Sequence, residues 1–438
     1  MKIFGPRKLF IIFLILAFLF RLGFGLCSEF WAEDEKYTYL NGLKFYTTGE
    51  WPYYGPYITD RIQIPGALHG LSIGLPFFLL PIPEAPFLLL NVLSFASLCL
   101  LAWYSARRLP EIPTWFLWPW LMTAPWALNF STHVVNPSYI LPGSILFFVA
   151  NVETYPPLCK SLIPAKLANF MMGVALFWVM QFHMSWVILV PFTLSSFYFQ
   201  FRCVGGKALH SIPFFVLGAA LSGAFILPTF IRYGFAEGLG GTDATVVVNF
   251  SNLTRHLNPI EGILGRFLSF ASFEVPRFIG SNTAKRVAFF KAQPWLIPPG
   301  LFLLAVGLLQ PLGLIVMWFS KTHPQGDWKQ IKYLTLFTVA LLYVMFLFTF
   351  RTPDSHTYYI TLPVIMLYSM YCWSKLLGKP GWRKLAKAFI VSGVIFQAGL
   401  ALHNYRRISL YTNRSVPRSA IEMKDYRILG ERRPGGRY

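Results

Sequence analysis

The sequence predicts an all-α polytopic membrane protein, on three observations. The chain is 55% hydrophobic and only 13% charged, with a mean hydropathy of +0.51. Apolar runs of roughly 17 to 25 residues recur along it, the length a helix needs to cross about 30 Å of hydrocarbon. Backbone polar groups in lipid must be satisfied within each segment, which selects helices over irregular spans. The third observation is charge placement, which orders these runs across the bilayer.

Eleven spans are expected near residues 8–27, 86–106, 113–130, 138–154, 168–182, 185–201, 211–230, 294–319, 332–350, 358–376 and 387–403. Leu9–Phe20 follows Lys2, Arg7 and Lys8 like the core of a signal peptide, but Arg21 interrupts the run and no small-residue cleavage site follows, so it reads as a retained first span. With the N-terminus cytoplasmic, the inner loops collect 14 Lys and Arg, among them Arg107, Arg108, Lys375 and Lys384, whereas the three short outer loops hold only Arg351. This is the positive-inside pattern. Residues 66–82 are apolar but carry Gly66, His69, Gly70, Gly74 and Pro76, and a full span there would invert every later loop. They are expected as a re-entrant or surface-lying segment. One bundle is expected over 1–403, including outer loops 28–85 and 231–293, followed by a basic tail at 404–438 that opposes the inside-positive trend.

The net charge of +20 is dispersed between spans, which points to anionic headgroups and phosphate-bearing lipids and away from nucleic acid. Five scattered cysteines with no CxxC spacing give neither a disulfide framework nor a metal site. No P-loop, GxGxxG, GxSxG or HExxH signature is present. The residues therefore require no cofactor, and a divalent metal held by ligands from separate loops remains an open alternative.

Six of the 18 carboxylates (Glu29, Glu33, Asp34, Glu35, Glu50 and Asp60) fall within 32 residues, directly after the first span. A carboxylate at the edge of a membrane pocket is suited to act as a general base; a solvated loop is the bland reading. The aromatics Trp31, Tyr37, Tyr39, Phe45, Tyr46, Trp51, Tyr53 and Tyr54 suit either a wall for sugar rings or isoprenoid, or an interfacial belt. Tyr37–Tyr46 is expected as a short interfacial helix.

A second constellation, Arg351 to Tyr359, opens the tenth span. Arg351 is suited to bidentate bonds with phosphate oxygens, and His356 adds a donor. Further polar groups, His133, Asn136, Gln181 and His183, lie at other outer span ends, on the face of the acidic loop. Arg21, in the outer half of the first span, is expected to snorkel to the headgroups, with pairing to the acidic loop as the alternative.

The order of these features resembles the GT-C fold glycosyltransferases, specifically the branch with protein O-mannosyltransferases and lipid A aminoarabinose transferases. The residues that carry the resemblance are Asp34-Glu35-Lys36-Tyr37 after the first span, Gly49 with the following aromatic and proline stretch, Pro65, Tyr104-x-x-Arg107-Arg108, and His356-x-x-Tyr359-x-x-x-Pro363. The resemblance implies inverting transfer of a sugar from a polyprenyl-phosphate donor to a glycan, lipid or protein acceptor on the outer face, with a first-loop carboxylate as base. Carried over, Asp34 is the favoured base with Glu35 as its neighbour, while Arg351, Arg61 and His356 are candidates for the donor phosphate. Tyr37, Tyr359, His133, Asn136 and His183 are candidates for the substrate pocket, and Glu29, Glu50 and Asp60 are left as solvated loop. The implied setting is a bacterial inner membrane with the site facing the periplasm. The alternative is a transporter or flippase of a lipid-linked saccharide, disfavoured because the ionisable residues crowd the outer ends and not the midplane.

Overall fold

The computed structural model describes residues 6–29, 33–57, 63–155, 161–238, 258–280, 282–320, 327–348, 355–405 and 415–430. Arg61, Arg351, Asp60 and Cys159 lie outside these residues.

The chain opens with α1 (Pro6–Ser28), then α2 (Glu33–Thr48), a small hairpin of β1 (Tyr54–Tyr57) and β2 (Gln63–Pro65), and α3 (Leu68–Leu79). Next come α4 (Ala85–Arg108), α5 (Thr114–Thr123), α6 (Pro125–Asn129), α7 (Ile140–Thr154), α8 (Ala165–Met180), α9 (Trp186–Val204), α10 (Ile212–Gly223) and α11 (Leu227–Gly238). The remainder is α12 (Asn258–Ser269), α13 (Thr283–Ala292), α14 (Ile297–Trp318), α15 (Trp328–Phe346), α16 (Ser355–Tyr358), α17 (Leu362–Leu376), α18 (Pro380–Tyr405) and α19 (Ser415–Glu422). This is an integral membrane helical bundle, as the hydropathy pattern requires.

Every expected span coincides with a helix or a pair of helices. Among the described residues, however, six helical stretches have the length and hydropathy to cross a membrane: Arg7–Ser28, Ala85–Arg108, Trp186–Gly223, Pro294–Trp318, Trp328–Phe346 and Pro380–Tyr405. The others are shorter, and proline explains part of this. Pro125 starts α6 after Ala124 turns extended, and Pro137 sits in the short 3-10 turn that precedes α7. Helix length alone therefore does not establish eleven crossings.

Lipid offers little hydrophobic drive for helix association, so close packing has to hold the bundle. The tightest crossing is α8 on α10, where Gly173 faces Phe215 and Gly218 faces Phe170; a Cβ at either glycine would collide with the facing backbone carbonyl. The interior is aromatic: Phe116 packs on Trp120, Trp373 and Phe389, joining α5, α17 and α18.

Residues 66–82, expected as a re-entrant or surface-lying segment, are mostly helical. α3 has 12 residues, about 18 Å at 1.5 Å per residue, too short for a crossing. It pairs with α2 to form a platform, Tyr39 meeting Phe77 and Tyr46 meeting Phe78 edge to face. Its far end leaves Leu75, Phe78 and Leu79 exposed. Ala420, Ile421 and Leu429 of the C-terminal segment are buried in the same apolar cluster as Leu40 and Leu43 of α2. The tail therefore packs, in part, against the first outer loop.

Arg21 departs from expectation. It is fully buried, with Nη1 donating to the Met122 carbonyl at 3.0 Å and Nη2 to the Ser131 hydroxyl. The guanidinium does not snorkel, and among the described residues it pairs with no carboxylate. It serves the carbonyl freed where α5 breaks, which lipid would otherwise leave unsatisfied. At the far end of the bundle, Arg108 is buried against Glu153, donates from Nε to Tyr104 Oη at 3.1 Å, and lies 4.0 Å from Asp327.

Candidate active site

The break between α6 and α7 builds one wall of the site. Asn129 Nδ2 donates to the Pro125 carbonyl at 2.8 Å, Thr132 Oγ1 to Leu128 at 2.8 Å, and the Ser131 hydroxyl to Ala127. These side chains satisfy the carbonyls at the end of α6, so the chain can leave helix without orphaned acceptors. The loop that follows projects His133 and Asn136. The buried Asn129 side chain is committed to this cap, although it opens an N-x-S triplet.

The loop is held from below by Glu29. Its Oε1 accepts the Val134 N–H at 2.9 Å, and the side chain is fully buried. Glu29 was expected to be solvated; instead the end of α1 carries it under the loop. Burial holds its carboxyl well above the ordinary carboxylate range; the Val134 N–H opposes the shift and the Glu35 charge adds to it.

These elements surround a cavity of about 1120 Å³ at one end of the bundle. Asp34, Glu35, His133, Asn136, His183 and His356 all line it. Asp34 is exposed and Glu35 half-buried in the first turn of α2, where unpaired backbone N–H groups favour negative charge. Tyr37 lines a smaller adjoining recess together with Asp34, His69 and Asn136. Tyr359 is not on the cavity. It is buried behind the wall residue Phe130 at a ring distance of 5.3 Å, with its hydroxyl 3.3 Å from the Trp126 carbonyl. Arg61 and Arg351 lie outside the described residues.

The cavity also holds residues that no sequence signal marked. Glu274, Arg286 and Asn404 line it from the second outer piece and the end of α18. Burial pushes the Glu274 carboxyl up, while Arg266 and Arg286 pull it back. Phe130, Phe182, Met184 and Phe278 give the same cavity an apolar side. Its lining is thus both apolar, as a lipid requires, and polar.

Three histidines here are held neutral. His69 is fully buried, with Nε2 3.1 Å from Asn136 Oδ1 and Nδ1 3.3 Å from Asn41 Nδ2. The amides fix the tautomer: Nε2 donates and Nδ1 accepts. His183 Nδ1 accepts the Ser185 N–H at 3.1 Å, leaving Nε2 to carry the proton, and its ring meets His356 edge to face at 6.1 Å. Burial lowers His69 and His183 to about 3 and His133 to about 4. A histidine whose folded value is depressed favours the folded state above its unfolded value, and that advantage is lost as pH falls. The window runs from about 6.5 down to about 4 for His133 and to about 3 for His69 and His183. We expect acidification from pH 7.5 to 5 to cost about 2 kcal/mol per buried histidine, read as a fall in thermal stability in micelles, and His69→Gln to flatten that dependence. An unchanged melting temperature over this range would exclude buried neutral rings.

Among the described residues, no group of three or more His, Cys, Asp or Glu side chains is arranged to hold a metal ion.

No protein-family model and no curated protein matches the chain. Its architecture is similar to a crystal structure of ArnT from Cupriavidus metallidurans bound to undecaprenyl phosphate. The TM-score is 0.54 at 12% identity, over 97% of this chain and 76% of that one. At this identity the likeness is one of fold, and the fold it shows is the GT-C fold that the order of sequence features resembles.

Proposed function

We propose that this protein is a glycosyltransferase that moves a sugar from a polyprenyl-phosphate donor to an acceptor on the outer membrane face, with inversion and with Asp34 as base. The observation that carries this reading is the cavity itself, whose lining brings Asp34 and Glu35 together with His356 and Arg286 and with the apolar Phe130, Phe182 and Phe278. A lipid-linked sugar combines the same polar and apolar character. The fold supports the reading, because the ArnT structure that shares it holds undecaprenyl phosphate.

In this mechanism the Asp34 carboxylate takes the proton of the acceptor hydroxyl as its oxygen attacks the anomeric carbon. The bond to the donor phosphate breaks, and its electron pair leaves with the phosphate. Cations aimed at that oxygen stabilise the developing charge. Arg286 is the described cation on the cavity wall, and Arg351 and Arg61 are proposed to join it. His356 donates to the phosphate, while neutral His133 and His183 shape the pocket without adding charge. The acceptor is a glycan, lipid or protein of the cell envelope, and the membrane is proposed to be a bacterial inner membrane with the site facing the periplasm.

The test is purified protein in lipid nanodiscs with a panel of polyprenyl-phosphate pentoses and hexoses and an envelope extract as acceptor. Formation of a new glycosidic bond with release of polyprenyl phosphate is the expected result. Movement of the donor across liposomes without any such bond would replace this reading by a transporter.

A further inference from the structure

The cavity does not end at Asp34. Asp34, Pro56, Tyr57 and Asn136 are shared with the small recess beside it. Tyr37 and Asn41 are in turn shared between that recess and a third, which reaches Lys44, Glu50, Trp51 and Tyr53. The three follow one another through these shared residues, and together they make a shallow, groove-like path outward from the carboxylates.

One face of α2 forms its floor. Asp34, Tyr37, Thr38, Asn41, Lys44 and Phe45 recur at helical spacing, so they share a stripe. From Asp34 to Phe45 the helix rises about 16 Å at 1.5 Å per residue, room for a chain of rings. The stripe is fixed from behind: Thr38 Oγ1 donates to Asn136 Oδ1 at 3.0 Å, and Asn41 Nδ2 to the Tyr54 carbonyl at 3.0 Å. At the outer end, α2 is stopped by Gly49 at φ 72°, whose N–H returns to the Phe45 carbonyl at 2.9 Å. That left-handed residue suits glycine and turns the chain back. Pro52 then packs so closely on α3 that a Cβ at Gly70 would meet it at 2.5 Å. Trp51 is thereby carried to the mouth of the groove. There Lys44 Nζ pairs with Glu50 Oε2 at 2.7 Å, the carboxylate side half exposed.

We infer that this groove is the acceptor subsite and that it takes a saccharide chain. The inference rests on the transferase reading and adds the acceptor's chemical class. A sugar ring offers an apolar C–H face and a rim of hydroxyls. The groove offers the matching set: Trp51, Tyr37 and Tyr53 supply aromatic surface, and Lys44 and Glu50 supply donors and acceptors along the edge. A polyprenyl tail would find the charged pair unfavourable, and a bare anion would meet Glu50. Because Asp34 stands where groove and cavity meet, a saccharide lying in the groove presents its terminal hydroxyl to the base, with the donor on the other side.

The test is direct binding, read by saturation-transfer NMR on the full chain in nanodiscs, with maltotriose, cellotriose and triacetylchitotriose as probes. At least one trisaccharide is expected to bind, with Trp51→Ala weakening it at least 10-fold, Lys44→Ala weakening it less, and Trp51→Phe keeping most of the affinity. Failure of all three probes to bind, or equal binding by wild type and Trp51→Ala, overturns the proposal. The readout needs no turnover. Loss of the transferase reading therefore shows as absent glycosidic transfer with saccharide binding intact, and loss of the subsite as transfer without saccharide binding.

Discussion

Replacing Asp34 by Asn is expected to lower turnover by about 10²–10⁴-fold, the usual contribution of a positioned general base. That corresponds to about 3–5 kcal/mol of lost transition-state stabilisation. Asn keeps the size and can still accept a hydrogen bond, but it cannot take the acceptor proton. Affinity for the polyprenyl-phosphate donor should be nearly unchanged, since the phosphate cations are untouched. Glu35→Gln is expected to cost less. Both residues line the cavity, but Asp34 alone of the pair is shared with the recess that leads to the outer groove. Single-turnover measurements on the two variants decide the matter. Full activity in Asp34→Asn with loss in Glu35→Gln would move the base by one residue, and full activity in both would remove a first-loop base altogether.

Arg108→Ala is expected to destabilise the bundle by about 3–5 kcal/mol, the cost of stranding buried charge. Glu153 and Asp327 would both lose their cation. Their remaining partners are neutral: the Tyr104 and Ser161 hydroxyls and the Leu162 and Ile163 N–H groups for Glu153, and the Tyr371 hydroxyl for Asp327. These donors satisfy lone pairs without neutralising charge. The double change Arg108→Met with Glu153→Gln removes charge from both sides and should recover much of the loss, which a double-mutant cycle in mixed micelles would show. Activity per folded molecule should stay constant, because this cluster lies at the opposite end of α4 from the platform. A shift of less than about 1 kcal/mol in Arg108→Ala would place the cluster among ordinary surface pairs.

The sequence made the fold legible wherever the determining information was local. Apolar length marked α1, α4, α14, α15 and α18. The first-loop helix and the candidate base stood out because carboxylates are scarce elsewhere. What escaped were residues whose environment is made by distant chain. Arg21 is held by Met122 and Ser131, and Glu29 by Val134, each about a hundred positions away. Nothing near Glu29 in the sequence separates it from a solvated acid. Glu274 and Arg286 were passed over for the same reason: they belong to no motif, and only the fold of the second outer piece turns them to the cavity. Tyr359 shows the reverse error. It sits in a promising motif, but the short helix it follows turns it into the core.

The packing of residues 415–430 against α2 has a bearing on how the molecule matures. The helix that carries the carboxylates is made well before the residues that cover its apolar back. Until they arrive, Leu40 and Leu43 lack part of their cover. Packing of this helix is therefore completed by chain made after every helix between the two segments, and a variant that loosens Ile421 or Leu429 would act on the first-loop helix from nearly four hundred positions away.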